Sequence, residues 1–140
     1  MHNALIAAVR QVNGGFYRAF RERDSRAMAR LWAKEHPVAC IHPGMAPIFG
    51  RDAVLDSWRG ILAHPGAPQL ECSAERVHVF GTSALVTCLE GAPDALPRLV
   101  ATNAFVIEGG LWRLTHHHGA ALLGPISDER SNSSGDEAAN

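Results

Sequence analysis

The stretch RLVATNAFVIEGGLWRLTHHHGAA, residues 98–121, decides the fold class of this chain of 140 residues. Two glycines stand in its middle, between two runs that are rich in β-branched, apolar and aromatic residues. Two such runs around a short glycine turn predict an antiparallel β-hairpin. Residues 69–80 and 84–90 repeat this pattern around a turn at 81–83, so we expect four antiparallel strands in the second half of the chain.

The first half of the chain predicts three helices. Apolar residues recur every three to four positions from Leu5 to Phe20, which is typical of one amphipathic helix of about twenty residues. Asp24 or Ser25 is a suitable N-cap for a second, short helix, and a third helix is expected over 50–63. Short strands are expected between these two helices, at 38–42 and 47–49. This order predicts an α+β fold in which three N-terminal helices pack on an antiparallel sheet.

Length, charge and cysteine usage exclude several classes of protein. We expect a single domain over residues 1–125 and a polar, disordered tail over 126–140. The formal net charge of −1 gives no field that would attract nucleic acid or an anionic membrane, and no apolar run has the length of a membrane span. The three cysteines form no CxxC pair, which favours free thiols in a reducing compartment. We therefore expect a cytoplasmic protein without a signal peptide that binds neither nucleic acid nor membrane.

Strand alternation predicts which polar residues share one face of the sheet. Successive side chains of a strand point to opposite sides. On this basis Glu90, Asn103, His116 and His118 are expected to face the helices, together with the apolar Trp112. An apolar pocket with a few convergent polar groups is the usual form of a small-molecule site. Because imidazole exchanges protons near neutral pH, His118 and His116 are the candidate catalytic residues.

Four further residues are candidates for contacts with a ligand. His42 lies beside a turn and could hydrogen-bond a bound molecule, while Trp32, Trp58 and Phe105 would form the aromatic wall of a pocket. All of these residues also fit an ordinary role, either in a packed core or in an internal hydrogen-bond network. Two histidines two positions apart on a strand can bind a transition metal, but the sequence offers no third ligand at a suitable spacing. We therefore expect neither a metal site nor a cofactor.

The strand at 98–108 is apolar on both of its faces. Ala101, Phe105 and Ile107 would cover the helices, while Val100, Ala104 and Val106 point to the other side. An antiparallel sheet with one face in water alternates apolar and polar residues, and this strand does not. The simplest cover for the second apolar face is another copy of the chain, so a homodimer through the outer face of the sheet is expected.

Two stretches resemble a known protein family. LWAKEHPVACIHPGMAPIFGRDAVLDSWRGI, residues 31–61, is similar to the centre of the SnoaL-like domains of the nuclear transport factor 2-like superfamily. VATNAFVIEGGLWRLTHHHGA, residues 100–120, resembles the two closing strands of the same domains, where a tryptophan after the glycine turn is followed by alternating histidines. The resemblance extends over about residues 3–124. It implies the cone-shaped α+β roll of ketosteroid isomerase and the polyketide cyclases.

The resemblance implies a cone cavity for a small, apolar, carbonyl-containing ligand, with isomerase, cyclase or dehydratase chemistry as the expected activity. In that hypothesis His118, or else His116, moves a proton, and Asn103 or His42 hydrogen-bonds the oxygen that gains charge. No aspartate lies where an isomerase-type base would be needed, so a base would have to be one of these histidines or Glu90. The alternative from the same residues is a non-catalytic module for ligand binding or dimerisation.

Overall fold

The structure, a computed structural model, describes residues 2–126 and confirms the predicted α+β class, with three helices packed on one curved sheet. The elements are α1 (His2–Glu22), α2 (Ser25–Leu31), β1 (Ala39–Ile41), β2 (Ile48–Phe49), α3 (Arg51–Ala63), β3 (Glu71–Phe80), β4 (Ser83–Gly91), β5 (Leu99–Glu108) and β6 (Leu111–Ala121). The division of the chain at residue 125 stays a prediction. The tail was predicted over 126–140, and its residues 127–140 lie outside the described residues.

Helix α1 runs unbroken through Gly14 and Gly15, and its buried side carries two polar residues, Asn13 and Tyr17. Helix α2 begins as predicted at Asp24, whose carboxylate accepts a hydrogen bond of 3.0 Å from the backbone N–H of Ala27. This bond satisfies one of the donors that a helix start leaves free. None of the helices within residues 2–126 is long and apolar enough to cross a membrane.

The sheet has the strand order β2-β1-β6-β5-β4-β3. Strands β3 to β6 form the predicted antiparallel meander, and β1 extends it by pairing with β6 in parallel. We call the side of the sheet that is turned towards the helices its inner face, and the opposite side its outer face. The inner face and the helices enclose a core of large side chains, among which Trp32, Trp58 and Phe105 are at most 2% exposed.

Strands β4 and β5 follow the predicted alternation. Cys88 and Glu90 are buried on the inner face of β4, and Asn103 and Phe105 are buried on the inner face of β5. The two strands pair in continuous register over their length, with Cys88 opposite Ala101. Because this register has no interruption, the alternation of inward and outward side chains predicted the face of each of these residues correctly.

Strand β6 departs from the predicted alternation at a β-bulge. Phe105 pairs with Leu114, but the preceding residue Ala104 pairs with His116, which leaves Thr115 as an extra residue in β6. An extra residue shifts every side chain that follows it to the opposite face of the strand.

The bulge decides which histidine of the run is buried. Leu114 and His117 point inward and are 0% and 3% exposed, whereas His118 is exposed and His116 is half-buried on the outer face. The rings of His116 and His118 are neighbours there, with centroids 6.2 Å apart. The prediction that His116 and His118 face the helices is therefore wrong, and the inward histidine is His117.

Glu108, at the end of β5, connects the β5–β6 hairpin by hydrogen bonds to the segment that follows α2. Its carboxylate accepts hydrogen bonds from the backbone N–H groups of Lys34 (2.9 Å) and Glu35 (2.8 Å), and it pairs with the His36 ring at 2.8 Å. Desolvation opposes ionisation of this carboxyl, but the hydrogen bonds outweigh it and hold its pKa at about 2.

We expect Glu108→Gln to lower the free energy of unfolding by about 1–2 kcal/mol at neutral pH, as for partly exposed hydrogen bonds to a charged acceptor. The folded-state pKa lies below the ordinary value for glutamate, so this contribution is present above about pH 4.3 and is lost as the pH falls towards 2. Urea unfolding at several pH values measures it. Glu35→Gln is the matched control, since that side chain is exposed and makes no hydrogen bond within the described chain. Equal effects of the two substitutions would contradict the assignment.

Candidate functional site

Five buried polar side chains converge on the inner face of the sheet. They come from α1, β4, β5 and β6, none is more than 3% exposed, and we call them the inner polar network: Asn13, Tyr17, Glu90, Asn103 and His117. Burying polar groups is costly unless they are hydrogen-bonded, so we expect these five side chains to find hydrogen-bond partners inside the protein.

Asn103 is the centre of the inner polar network. Its side-chain N–H group donates to Asn13 Oδ1 at 2.9 Å and to the Tyr17 hydroxyl at 3.2 Å. Its Oδ1 lies 2.5 Å from Nδ1 of His117, which stands directly opposite in β6. Because the amide nitrogen is used by Asn13 and Tyr17, the amide oxygen faces His117, so Nδ1 of the imidazole carries the proton.

Tyr17 links Asn103 to the carboxyl group of Glu90. Its hydroxyl donates a hydrogen bond of 2.5 Å to Glu90 Oε2 and lies 3.2 Å from the Cys88 sulfur. The hydrogen bonds thus run in one direction, from His117 through Asn103 and Tyr17 to Glu90. Glu90 is therefore the final acceptor of this series of hydrogen bonds.

A second branch of the network reaches the surface. Asn13 donates a hydrogen bond of 2.7 Å to Glu75 Oε2, and the other oxygen of Glu75 pairs with Arg10 at 2.6 Å. Glu75 follows Ala74, which has a φ of 52° within the irregular pairing of β3 with β4. A bulge with a residue in the left-handed region is costly, and such features cluster beside functional sites.

Burial shifts the acid–base properties of the network. Desolvation raises the pKa of Glu90, although the hydrogen bond from Tyr17 opposes the shift. Desolvation, with the negative charge of Glu90, also raises the pKa of the Tyr17 hydroxyl. Complete burial, reinforced by the neighbouring histidines His42, His116 and His118, lowers the pKa of His117 to about 3. His117 is therefore neutral at physiological pH, and burial favours the uncharged form of Glu90.

An open groove of about 560 Å³ leads to the network between α1 and the start of β3, and we call it the mouth groove. It is lined by Arg10, Gly14, Tyr17, Arg21 and residues 71–75. Tyr17 belongs both to this lining and to the inner polar network. Tyr17 is thus the residue of the inner polar network that borders the mouth groove, while Glu90 lies behind it.

His42 occupies a separate buried position next to the aromatic core. Its Nε2 is 3.0 Å from the Ser57 hydroxyl, and its ring centroid lies 4.9 Å from that of Trp58. Desolvation lowers its pKa, so the ring is held neutral. Trp58 also packs against His117, with centroids 5.7 Å apart, and its indole N–H meets only the weak acceptor sulfur of Cys40.

The structure brings most of the predicted site residues to the interior. Asn103 and Glu90 belong to one hydrogen-bonded group, and His42 lies behind it across Trp58. His116 and His118, predicted as catalytic residues, lie on the opposite face of the sheet. The aromatic residues predicted as a pocket wall, Trp32, Trp58 and Phe105, are all buried in the core. The functional roles predicted for these residues stay predictions.

Sequence reasoning missed Asn13, Tyr17 and His117. A signal for the first two was present, because Val9, Asn13, Phe16 and Tyr17 lie three or four positions apart on one stripe of α1. A polar residue on an otherwise apolar helix stripe indicates a buried polar contact. No comparable pattern distinguishes His117 from its two neighbours, because the bulge is invisible in the sequence.

The described residues hold no candidate metal centre. Within 2–126 no group of three or more His, Cys, Asp or Glu side chains is arranged to bind a metal ion, and Cys40, Cys72 and Cys88 are all free thiols.

Comparison with known proteins agrees with the fold. Residues 9–123 match the family of SnoaL-like domains. The chain belongs to this family. The match contains every residue of the inner polar network and the whole sheet.

Several relatives of this SnoaL-like domain are known. The F-box protein SKIP8 of Arabidopsis thaliana is 29% identical over 132 residues, which are 91% of this chain and 54% of that protein. The chain thus spans about half the length of that curated relative. A solved structure from Streptomyces avermitilis, described as a candidate dehydratase of the NTF2-like family, is 30% identical with a TM-score of 0.77, over 89% of this chain and all of that one. A candidate calcium/calmodulin-dependent protein kinase type II association domain from Thiobacillus denitrificans is 32% identical with a TM-score of 0.66, over 79% of this chain and 92% of that one.

Proposed function

We propose that this SnoaL-like domain binds a small, apolar carbonyl compound through the mouth groove and exchanges a proton on the carbon next to the carbonyl group. The observation that carries the proposal is the Tyr17–Glu90 pair, a buried hydroxyl and carboxyl 2.5 Å apart beside an open groove. The solved relative from Streptomyces avermitilis, described as a candidate dehydratase, supports acid–base chemistry of this class.

Each residue of the network has a role in this proposal. Glu90 is the base, because burial raises the pKa of its carboxyl group and so makes the carboxylate a stronger proton acceptor. The Tyr17 hydroxyl has one proton, which it donates to Glu90 in the resting structure. Once Glu90 has taken the proton from carbon, this hydroxyl donates instead to the enolate oxygen, on which negative charge has developed. Asn103 holds the Tyr17 hydroxyl in place, and neutral His117 holds Asn103, so both are positioning residues. His116 and His118 take no part.

Proton exchange at carbon provides a direct test. We expect the protein to accelerate incorporation of deuterium from D2O next to the carbonyl group of steroid, aromatic or terpenoid ketones, measured by mass spectrometry. Glu90→Gln should reduce the rate about a hundredfold or more, as for loss of a positioned base. His116→Asn and His118→Asn, on the outer face, are the matched controls and should keep the rate. Loss of activity in these two variants, with Glu90→Gln active, would assign the chemistry to the other face of the sheet.

Binding is measured separately by the thermal shift that each ketone produces. A ligand at a hundredfold excess over its Kd stabilises the native state by about 2.7 kcal/mol. We expect Tyr17→Phe to weaken binding of any ketone that shifts the wild type. A panel without any thermal shift or deuterium exchange would contradict the proposal.

A non-catalytic dimerisation module is the second candidate, and two observations favour it. The side chains of Asn13, Tyr17 and Asn103 are already hydrogen-bonded within the network, so no ligand is needed to satisfy them. On the outer face, Leu85 and Val100 remain 38% and 36% exposed. A second copy of the chain would cover them, and the relative described as an association domain supports assembly through this fold.

The homodimer is tested by sedimentation of the wild type and of Ala104→Glu. Ala104 lies between Leu85 and His116 across the outer face, so a carboxylate there would place charge inside the interface. We expect a dimer for the wild type and a monomer for the variant, whereas Glu35→Gln should remain dimeric. A monomeric wild type would contradict this partner.

A further inference from the structure

We propose that a groove lined by arginines between α1, α2 and the start of β6 is a docking site for an acidic segment of a partner protein. The arginine groove has a volume of about 450 Å³. Its lining consists of Gly15, Arg18, Ala19, Glu22, Asp24, Ala27, Arg30, Leu31 and Arg113. It lies on another side of α1 from the mouth groove, whose α1 residues are Arg10, Gly14, Tyr17 and Arg21. The inference goes beyond the proposed function.

The first observation is a local concentration of positive charge. Three arginines line the groove, Arg18 and Arg30 from the helices and Arg113 from β6, against two acidic residues, Glu22 and Asp24. The lining therefore has a formal charge of +1 in a chain whose total is −1. A surface of net positive charge favours a partner of the opposite sign.

The second observation is that the two helical arginines of the groove form no ion pair within residues 2–126. In the described part of the chain neither Arg18 nor Arg30 makes an ion pair, and both are exposed. Arg113 donates a hydrogen bond of 2.7 Å to the backbone carbonyl of Arg30, which fixes its guanidinium beside the groove. Of the two acidic residues, Asp24 has one carboxylate oxygen engaged at the start of α2.

The third observation is an apolar floor between the arginines. Ala19 is buried, and Gly15, Ala27 and Leu31 are half-buried, so small and aliphatic surfaces lie beside the charged rim. A side chain at Gly15 would meet Leu31 at 3.6 Å, which shows how closely α1 approaches α2 here.

Together these features fit an acidic peptide better than a small anion. A small anion needs donors that converge on one point, whereas Arg18 and Arg30 are exposed on two different helices. A peptide with glutamate and leucine side chains would place several carboxylates on the rim and apolar groups on the floor. The guanidinium group of arginine binds carboxylates in bidentate geometry, and arginine is enriched at protein interfaces.

Fluorescence anisotropy of the full chain tests the proposal with a labelled peptide of alternating glutamate and leucine. We expect saturable binding that weakens with added salt, and no binding of a lysine–leucine peptide of equal length. The double variant Arg18→Glu with Arg30→Glu should weaken binding about tenfold or more. Arg59→Glu with Arg98→Glu changes the total charge equally on other exposed parts of the surface, and this control should retain binding within about twofold.

Circular dichroism of both double variants verifies that they remain folded. Three results would overturn the proposal: no binding by the wild type, equal weakening in the two double variants, or equally strong binding of a single-stranded RNA that competes with the peptide. The last result would assign the arginine groove to nucleic acid. The measurement does not involve the mouth groove, so its outcome is independent of the proposed proton exchange.

Discussion

Replacing Asn103 by leucine is expected to lower the free energy of unfolding by about 3 kcal/mol or more. The asparagine is 0% exposed and its side chain serves three neighbours, Asn13, Tyr17 and His117. Leucine offers none of these hydrogen bonds, and each buried polar partner that is left unsatisfied costs about 1–3 kcal/mol. Urea unfolding followed by circular dichroism measures the loss.

Thr102→Val is the matched control for Asn103→Leu. Thr102 is the neighbouring residue of β5, half-buried on the outer face, and its side chain makes no hydrogen bond within the described residues. We expect that variant to change stability by less than about 0.5 kcal/mol. If the two variants unfolded at the same urea concentration, Asn103 would not be the centre of a cooperative network.

Acid is expected to unfold this protein through His117. The folded state lowers the pKa of His117 to about 3, while the unfolded chain has the ordinary value of about 6.5. The unfolded state therefore binds more protons between these values, so the stability that His117 contributes is present above pH 6.5 and is lost as the pH falls towards 3. A shift of this size corresponds to a loss on the order of 4 kcal/mol.

His117→Gln isolates this effect from the other titrating groups. Glu90 acts in the opposite direction, because its raised pKa gives a contribution that is present in acid and is lost as the pH rises through that pKa. The difference in unfolding free energy between wild type and His117→Gln should shrink or change sign as the pH falls from 7 to 4. Thr102→Val, a substitution on the outer face that removes no titratable group, should leave the pH dependence of the wild type unchanged. A wild-type slope that persisted in His117→Gln would contradict the assignment.

The fold was predictable because its elements are encoded locally. The apolar stripe of α1, the carboxylate at Asp24 and the glycine turn before Leu111 each specify one element without help from the rest of the chain. Strands β4 and β5 pair in unbroken register, so alternation alone placed Glu90 and Asn103 on the inner face.

The inward-pointing residues of β6 could not be predicted because they depend on two distant constraints. Leu114 is buried and forms an isolated bridge with Trp32, while His117 is held by its hydrogen bond to Asn103. The side chains of Leu114 and His117 both point inward although the two residues are three positions apart, an odd spacing. Strand β6 must therefore contain one extra residue between them, which is Thr115. Local sequence contains neither contact.

Because three histidines are consecutive, the residue opposite Asn103 is a histidine in more than one register of β6. In the bulged strand this position belongs to His117, and in a strand without the bulge, which would continue the Phe105–Leu114 pairing by simple counting, it would fall to His116. A slip of one residue during folding, or a shift of the bulge during evolution, would therefore still present an imidazole to the same amide. Repetition of one residue type thus preserves a hydrogen-bond partner for Asn103 where the backbone register is least strictly encoded.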